Sequence, residues 1–231
     1  MKNYVFDIYG TLIDINTDEY SEKFRARFEK YFCRKLKVKV PFWQRYGVLC
    51  TCNPEEEPDF IRIIRTIAEE GGVNPTDEKL MKIARAFRKS STKFIRAYDG
   101  IPQLLQTLKA NGAKLYILSN AQSAFTRYEL DKLKLTGYFD GIELSSEVGY
   151  KKPSQKFFGH ILSKYALDPA ESIYVGNDIK CDILSSKLAG MSAAYILSDI
   201  SPAEDSVEEA EKTADFATAN LEKLCAYLTQ L

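Results

Sequence analysis

The chain has 231 residues, 45% of them hydrophobic and 28% charged, which suits a globular core domain with room for an insertion. Lys plus Arg and Asp plus Glu both number 32, so the net charge is zero and bulk charge gives no attraction to nucleic acid. No stretch approaches the roughly 20 apolar residues of a membrane helix, the start lacks a secretory-signal layout, and five unclustered cysteines read as reduced thiols, so a cytoplasmic setting without membrane or nucleic-acid partners is expected.

Tyr4 to Asp7 reads as a strand that ends on a carboxylate. The chain then turns through Gly10-Thr11, with Tyr9 between. From Thr17 to about Arg96 no comparable strand is predicted. Phe60, Ile63, Ile64 and Ile67 instead follow the i, i+3, i+4, i+7 spacing of one buried helix face. Pro41, Asn53-Pro54, Gly71-Gly72 and Asn74-Pro75 divide this stretch into several helices. The result is an all-helical insertion of about 80 residues, large enough for a small subdomain. Trp43 and the aromatics near it read as its core. Cys50-Thr51-Cys52 reads as small packing residues, because zinc needs about four ligands and the chain has a single histidine.

Beyond the insertion, helices and strands alternate. Ile101, Leu104, Leu105 and Leu108 mark a helix with Pro102 in its first turn and Asn111-Gly112 at its end. Ala113 to Asn120 reads as a strand, Phe125 to Leu133 as a helix, and Gly141 to Ser146 as a short strand. The Gly149 to Ser154 loop leads to a helix with Phe157, Phe158, Ile161 and Leu162 on one face; His160 on that helix reads as a surface or boundary residue. Ser172 to Asp178 and Ser192 to Leu197 read as further strands, Pro202 to Glu211 as a solvated acidic loop, and Leu221, Leu224 and Leu228 as the face of a last helix. This alternation predicts an α/β fold: a doubly wound parallel sheet, Rossmann-like, with an inserted helical cap.

Ligands of such sheets bind beyond the carboxyl ends of the strands. Asp7, Ser119, Asn120, Asn177 and Asp178 all fall there, and Lys151 and Lys152 lie in the loop after the fourth strand. A strand-tip carboxylate can serve as a covalent nucleophile. Thr11 and Ser119 offer hydroxyls to orient it or to grip an anion, and a lysine can neutralise charge on the transferring group. Asp178 and Asp182 can share a hard cation such as magnesium with Asp7. Cys181 carries no neighbour that marks it as reactive and reads as structural.

The segments DIYGTL, YILSN, EVGYKKP and VGNDIKCDILSSKLAGM resemble, in order, the four motifs of the haloacid dehalogenase-like hydrolase superfamily. The resemblance covers Asn3 to Thr17 and Ala97 to about Leu197, and it implies a core domain of residues 1–16 and 97–231 with a cap of residues 17–96. By it, Asp7 is the nucleophile, Ser119 with Asn120 binds the transferring group, and Lys152, ahead of Pro153, is the charge-stabilising lysine in preference to Lys151. Asp178 and Asp182 form the acidic motif near the metal. Asn177 falls where an aspartate is common, so either Asn177 or Asp178 faces the cation; Asp178 is preferred for its charge.

In phosphatases of this superfamily a second aspartate commonly follows the nucleophile by two residues, as the general acid and base. That position is Tyr9, a phenol with an ordinary pKa near 10, whose backbone carbonyl can still ligate magnesium. Tyrosine there resembles the 2-haloacid dehalogenase branch, where halide leaves without a proton. The fourth motif departs from that metal-free branch, Phe157 and Phe158 stand where its later tyrosine would be, and its cap arginine has only Arg45 as a counterpart. The expected function is therefore a hydrolase, a magnesium-dependent phosphatase of a small phosphorylated metabolite. The alternatives are a metal-independent 2-haloacid dehalogenase and a catalytically weak binding or regulatory protein on the same fold. The sequence leaves substrate identity and oligomeric state open.

Overall fold

The computed structural model describes residues 2–51 and 55–231; Cys52 of the cysteine pair and the Asn53-Pro54 break lie outside the described residues. The chain opens with β1 (Asn3–Phe6) and β2 (Ile13–Thr17), followed by α1 (Glu22–Leu36), α2 (Phe42–Leu49), α3 (Phe60–Glu70) and α4 (Asp77–Ser91). β3 (Thr92–Ala97) returns antiparallel beside β2. The alternating part then runs α5 (Ile101–Ala110), β4 (Lys114–Ser119), α6 (Ser123–Lys132), β5 (Gly141–Leu144), α7 (Ser145–Val148), α8 (Gln155–Lys164) and β6 (Ser172–Gly176). A π-type turn at Ile179–Leu184 leads into α9 (Ser185–Leu188), β7 (Ser192–Ile196), α10 (Val207–Ala210), β8 (Phe216–Thr218) and α11 (Leu221–Gln230).

Among the described residues six strands form one parallel sheet in the order β5-β4-β1-β6-β7-β8. β1 lies inside it, so successive side chains meet opposite layers. Tyr4 and Phe6 join Ile101, Leu104, Leu224 and Leu228 of α5 and α11 on one face. Val5 joins Phe157, Phe158 and Ile161 of α8 on the other. The strand order reverses around β1, which opens a crevice at the carboxyl ends of β4, β1 and β6.

Among the described residues between Thr17 and Arg96 the long elements are the helices α1 to α4, and at the return residues 92–97 form β3. The sequence shows no apolar alternation there because the strand is half-solvated: Lys93, Phe94 and Arg96 are exposed. Its partner is β2, and the two make a ribbon through which the chain enters and leaves the insertion. β8 has three residues and only one buried side chain, too little for a sequence pattern. The acidic stretch expected as a solvated loop contains α10, with Ala210 fully buried, and Asp205 accepts a hydrogen bond from the Ile179 amide at 2.8 Å.

Ser21, Asp59 and Thr76 cap α1, α3 and α4 by accepting from backbone amides three residues on. The helices bury a cluster rich in phenylalanine: Phe24, Phe28, Phe32, Phe42, Phe60 and Phe87. Phe28 meets Phe87 edge to face at 4.8 Å and Phe42 at 5.2 Å. Trp43 packs on Phe42 and donates its indole N–H to the Arg25 carbonyl at 2.8 Å, so it fills this cluster as expected. Phe125 of α6 extends the cluster onto the sheet side, 5.1 Å from Phe60 and stacked on Phe87 at 5.8 Å. Phe87→Ala removes the ring shared by both sides and should destabilise the chain by about 3–5 kcal/mol, the range for a buried aromatic. Chemical denaturation measures this, and a loss under about 1 kcal/mol would mean the cluster carries no such weight. No helix among the described residues is long and apolar enough to cross a membrane.

Candidate active site

The crevice holds a cavity of about 270 Å³ lined by Asp7, Tyr9, Ser119, Asn120, Lys152, Asn177, Asp178, Cys181 and Asp182, with Ile200 and Pro202 at one side. All the residues expected at the site except Thr11 line it, and Thr11 lies directly behind. They converge because they sit at strand ends or in the loops and turn that follow those ends.

Asp7 follows β1, and its amide donates to the Val175 carbonyl of β6 at 2.9 Å. The side chain is buried. Its Oδ1 accepts from Ser119 Oγ at 2.9 Å and from Lys152 Nζ at 2.7 Å, whereas Oδ2 accepts no hydrogen bond from the described residues. After Asp7 the chain turns tightly, with Gly10 at φ +84°. A side chain at Gly10 would collide with the amide of Asn177, so the turn needs glycine for its backbone angle and for this approach. Thr11 Oγ1 donates to Asn177 Oδ1 at 3.4 Å and ties the first loop to the loop after β6.

Lys152 is the hub. Its Nζ contacts Asp7 Oδ1 at 2.7 Å, Asp182 Oδ1 at 2.6 Å and the Tyr174 hydroxyl at 2.9 Å. Burial works to lower its pKa, but the charges of Asp182 and Asp7 prevail and hold it well above the ordinary lysine value. The ammonium therefore stays charged in a buried place, with three oxygen partners that compensate lost hydration. Lys151 by contrast lies 3.6 Å from Glu57 and does not line the cavity.

Asp182 does not face the cavity as an open ligand. Oδ1 takes the Lys152 ammonium and a 3.2 Å contact from Tyr174, and Oδ2 takes the backbone amides of Asn177 and Asp178, both at 3.0 Å. Gly176 allows the approach, since a Cβ there would overlap this carboxylate. Burial raises the Asp182 pKa to about 6 against the pull of Lys152. With both oxygens occupied, Asp182 braces the lysine and the loop. Asp178 is half-exposed and accepts from the Cys181 amide at 2.7 Å, capping the π-type turn. Burial, with Asp178 beside it, pushes the Cys181 thiol up to about 12, which keeps it protonated and inert.

Asn120 also braces the lysine. It accepts from the Lys152 amide at 2.7 Å and donates to the Lys152 carbonyl at 3.0 Å, a two-bond clamp on the lysine's backbone. It also lines the cavity, and its amide keeps a second N–H beyond the one given to Lys152. Arg45, the cap-arginine counterpart, pairs with Glu70 at 2.5 Å and does not line the cavity.

Tyr9 sends its hydroxyl away from Asp7. It donates to Glu129 Oε2 at 2.5 Å and lies 2.8 Å from Thr126 Oγ1. Burial and the Glu129 charge raise its pKa, so it stays a neutral phenol. Arg88 of α4 lies over the Tyr9 ring at 5.3 Å, donates to Glu129 at 2.7 Å and reaches Glu19 at 2.9 Å. Arg88, Glu129, Thr126 and Tyr174 escaped sequence reasoning. The first three belong to elements outside the motif strands. Tyr174 lies mid-strand and looks like core, yet its hydroxyl accepts from Lys152 and donates to the Leu118 carbonyl at 2.7 Å.

Asp7, whose Oδ2 accepts no hydrogen bond from the described residues, and Asp178 line the same cavity and offer hard carboxylate oxygens, with Tyr9 beside them. Their chemistry suits magnesium, which keeps waters and needs few protein ligands. No three His, Cys, Asp or Glu side chains converge on a metal position among the described residues.

Over 172 residues the chain is 28% identical to glyceraldehyde 3-phosphate phosphatase of Methanothermobacter thermautotrophicus, covering 68% of this chain and 76% of that protein. It is 34% identical over 137 residues to phosphoglycolate phosphatase of Aquifex aeolicus, covering 55% and 64%. It spans about half the length of other curated relatives that it matches. The fold superposes on 2-haloacid dehalogenase from Pseudomonas syringae pv. Tomato DC3000 with a TM-score of 0.68 at 20% identity, over 100% of this chain and 99% of that one, a likeness of fold alone. The family profile of haloacid dehalogenase-like hydrolases matches residues 4–196. That match runs from the central strand to the end of β7 and takes in every polar side chain lining the cavity, and by it the chain belongs to the haloacid dehalogenase-like hydrolase family.

Proposed function

We propose that the chain is a magnesium-dependent phosphatase of a small phosphorylated metabolite, with Asp7 as the nucleophile. The observation that carries the reading is the clamp on Asp7: Lys152 and Ser119 hold Oδ1 at 2.7 and 2.9 Å, and among the described residues Oδ2 accepts no hydrogen bond beside the cavity. The curated relatives named as phosphatases of small phosphorylated compounds support it. A residue division of 1–16 with 97–231 as core and 17–96 as cap goes with it, the β2–β3 ribbon supplying the two crossings.

In this mechanism Asp7 Oδ2 attacks phosphorus, the P–O bond to the leaving group breaks, and the leaving oxygen departs with that electron pair. Water then attacks phosphorus, the aspartyl P–O bond breaks, and phosphate and the free carboxylate result. Lys152 remains charged throughout and offsets the negative charge that accumulates on the carboxylate and phosphoryl oxygens. Ser119 orients Asp7, Asn120 and Asp182 fix Lys152, and Asp178 with Asp7 and the Tyr9 carbonyl would hold magnesium, Asn177 being taken by Thr11 and Ser198. When bound, the ion would lessen repulsion between the carboxylate and an anionic phosphate.

Tyr9 supplies no acid to the leaving oxygen, because its proton is directed at Glu129. Substrates with good leaving groups, such as acyl phosphates or activated esters, are therefore favoured, and metal-independent dehalogenation is the second reading on the same observation. A panel of phosphorylated metabolites and 2-haloacids, assayed with magnesium and with chelator, separates them. Phosphate release that needs magnesium is expected. Chelator-insensitive halide release would replace this reading with the second, and turnover no higher than that of Asp7→Asn for every compound would end both.

Tyr9→Asp tests whether the site has been detuned. Glu129 keeps its pairing with Arg88, so the single change should raise turnover of poor-leaving-group esters about tenfold to a hundredfold, within the range of a restored acid. No gain would argue against a missing acid as the limit on rate.

A further inference from the structure

A second cavity, of about 680 Å³, lies apart from the catalytic one between α4, β3 and α6. Its lining carries Arg85, Arg88 and Lys89 from α4, Lys93 from β3 and Lys132 from α6, against a single carboxylate, Glu129. Arg88 already neutralises Glu129. Arg85, Lys89, Lys93 and Lys132 make no ion pair among the described residues. Four uncompensated cations thus face one concavity in a chain whose net charge is zero. Such a concentration raises the local potential and draws in small anions.

The walls between the charges are flat and apolar. Phe94 and Tyr128 are exposed at 41% and 54%, with Phe125 at the back of the cavity. Arg85 already lies over the Tyr128 ring at 5.5 Å, an arrangement that can hold a further planar group. The volume falls within the roughly 300–1,000 Å³ typical of small-molecule sites. Several phosphate-sized charges and one planar ring answer both features.

We infer that this cavity is a binding site for a small polyanion that carries an aromatic ring, the chemistry of a nucleoside polyphosphate, distinct from the catalytic site. Lys89, Lys93 and Lys132 take the charged end, and Tyr128 and Phe94 take the ring. Arg88 lines this cavity and covers Tyr9, which lines the other, so the ligand sits two side chains from Asp7.

The test is calorimetric titration of the full chain with ATP in chelator, where no turnover of the probe is expected. Binding below about 100 μM is expected, a typical small-ligand affinity. Lys93→Glu with Lys132→Glu should weaken it at least tenfold while the turnover of the best panel substrate stays unchanged. Tyr128→Ala should weaken it about fivefold or more, as loss of one stacked base does, and tripolyphosphate should bind correspondingly less well than ATP. If charge reversal lowers the melting temperature, Lys93→Ala with Lys132→Ala replaces it and the same ordering is expected. Absence of ATP binding overturns the inference. So does equal affinity in wild type and charge variants, which would put the nucleotide in the catalytic cavity. Equal binding of ATP and tripolyphosphate would remove the ring from the ligand and overturn the assignment of its class. None of these outcomes depends on Asp7 chemistry, so the proposed phosphatase activity stands or falls separately.

Discussion

Asp7→Asn is expected to lower phosphate release by at least about 10³-fold, as removal of a covalent nucleophile does. The exchange keeps the shape of the side chain, so the buried contacts with Ser119 and Lys152 lose charge but not volume. The fold should persist, and only the attack on phosphorus should be lost. Two measurements check this. Steady-state rates on the best substrate of the panel give the fold-loss, and brief exposure of wild type to that substrate followed by acid quench should leave a protein-bound phosphoryl group that hydroxylamine removes. The variant should show neither. An Asp7→Asn chain with near wild-type rate would move the chemistry to another group and break the assignment.

Lys152→Met should cost both activity and stability. The ammonium lies between Asp7 and Asp182, 2.7 Å from one and 2.6 Å from the other, with its side chain 3% exposed. Taking it away leaves two carboxylates in a buried place without their counter-charge. Breaking one side of a buried ion pair typically costs about 3–5 kcal/mol, which for a chain of this size lowers the melting temperature by roughly 6–20 °C. Adding Asp182→Asn to Lys152→Met should recover part of the stability, because it removes one of the stranded charges, and none of the activity. Calorimetry and turnover read the two effects separately. A Lys152→Met chain that melts with wild type would show that Asp182 and Asp7 do not depend on the lysine.

How far these groups were legible in the sequence depended on where each sits. Asp7, Ser119 and Asp178 stand at or just beyond strand ends, and an apolar run that stops at a polar residue is visible in a linear string, whereas Lys152, in the loop after α7, was legible only as a lysine ahead of Pro153 within a motif. The parallel sheet was legible for the same reason, since its buried strands are short and apolar. Side-chain direction was not. Asn120 and Asp182 carry the residue types of a ligand-contacting group and a metal ligand, yet Lys152 bonds Asn120 twice and, with backbone amides, takes both oxygens of Asp182, a competition that only three-dimensional neighbours decide. Arg88 and Glu129 lie 41 positions apart on helices with no motif, and nothing in the linear pattern pairs them. β3 escaped because an exposed ribbon strand lacks the two-residue periodicity that marks a half-buried one.

The placement of the ribbon has a mechanical implication. β2 begins six residues after Asp7, and the Leu12 carbonyl accepts from the Tyr98 amide where the returning strand leaves the ribbon. Arg88, near the end of α4, meets Tyr9 on the other side of the same short loop. Both anchors of that loop are therefore attached to the helical bundle, one through the chain itself and one through a guanidinium. A swing of the bundle relative to the sheet would pull on both at once, so access to the crevice and alignment of the Asp7 carboxylate would change as a single coordinate.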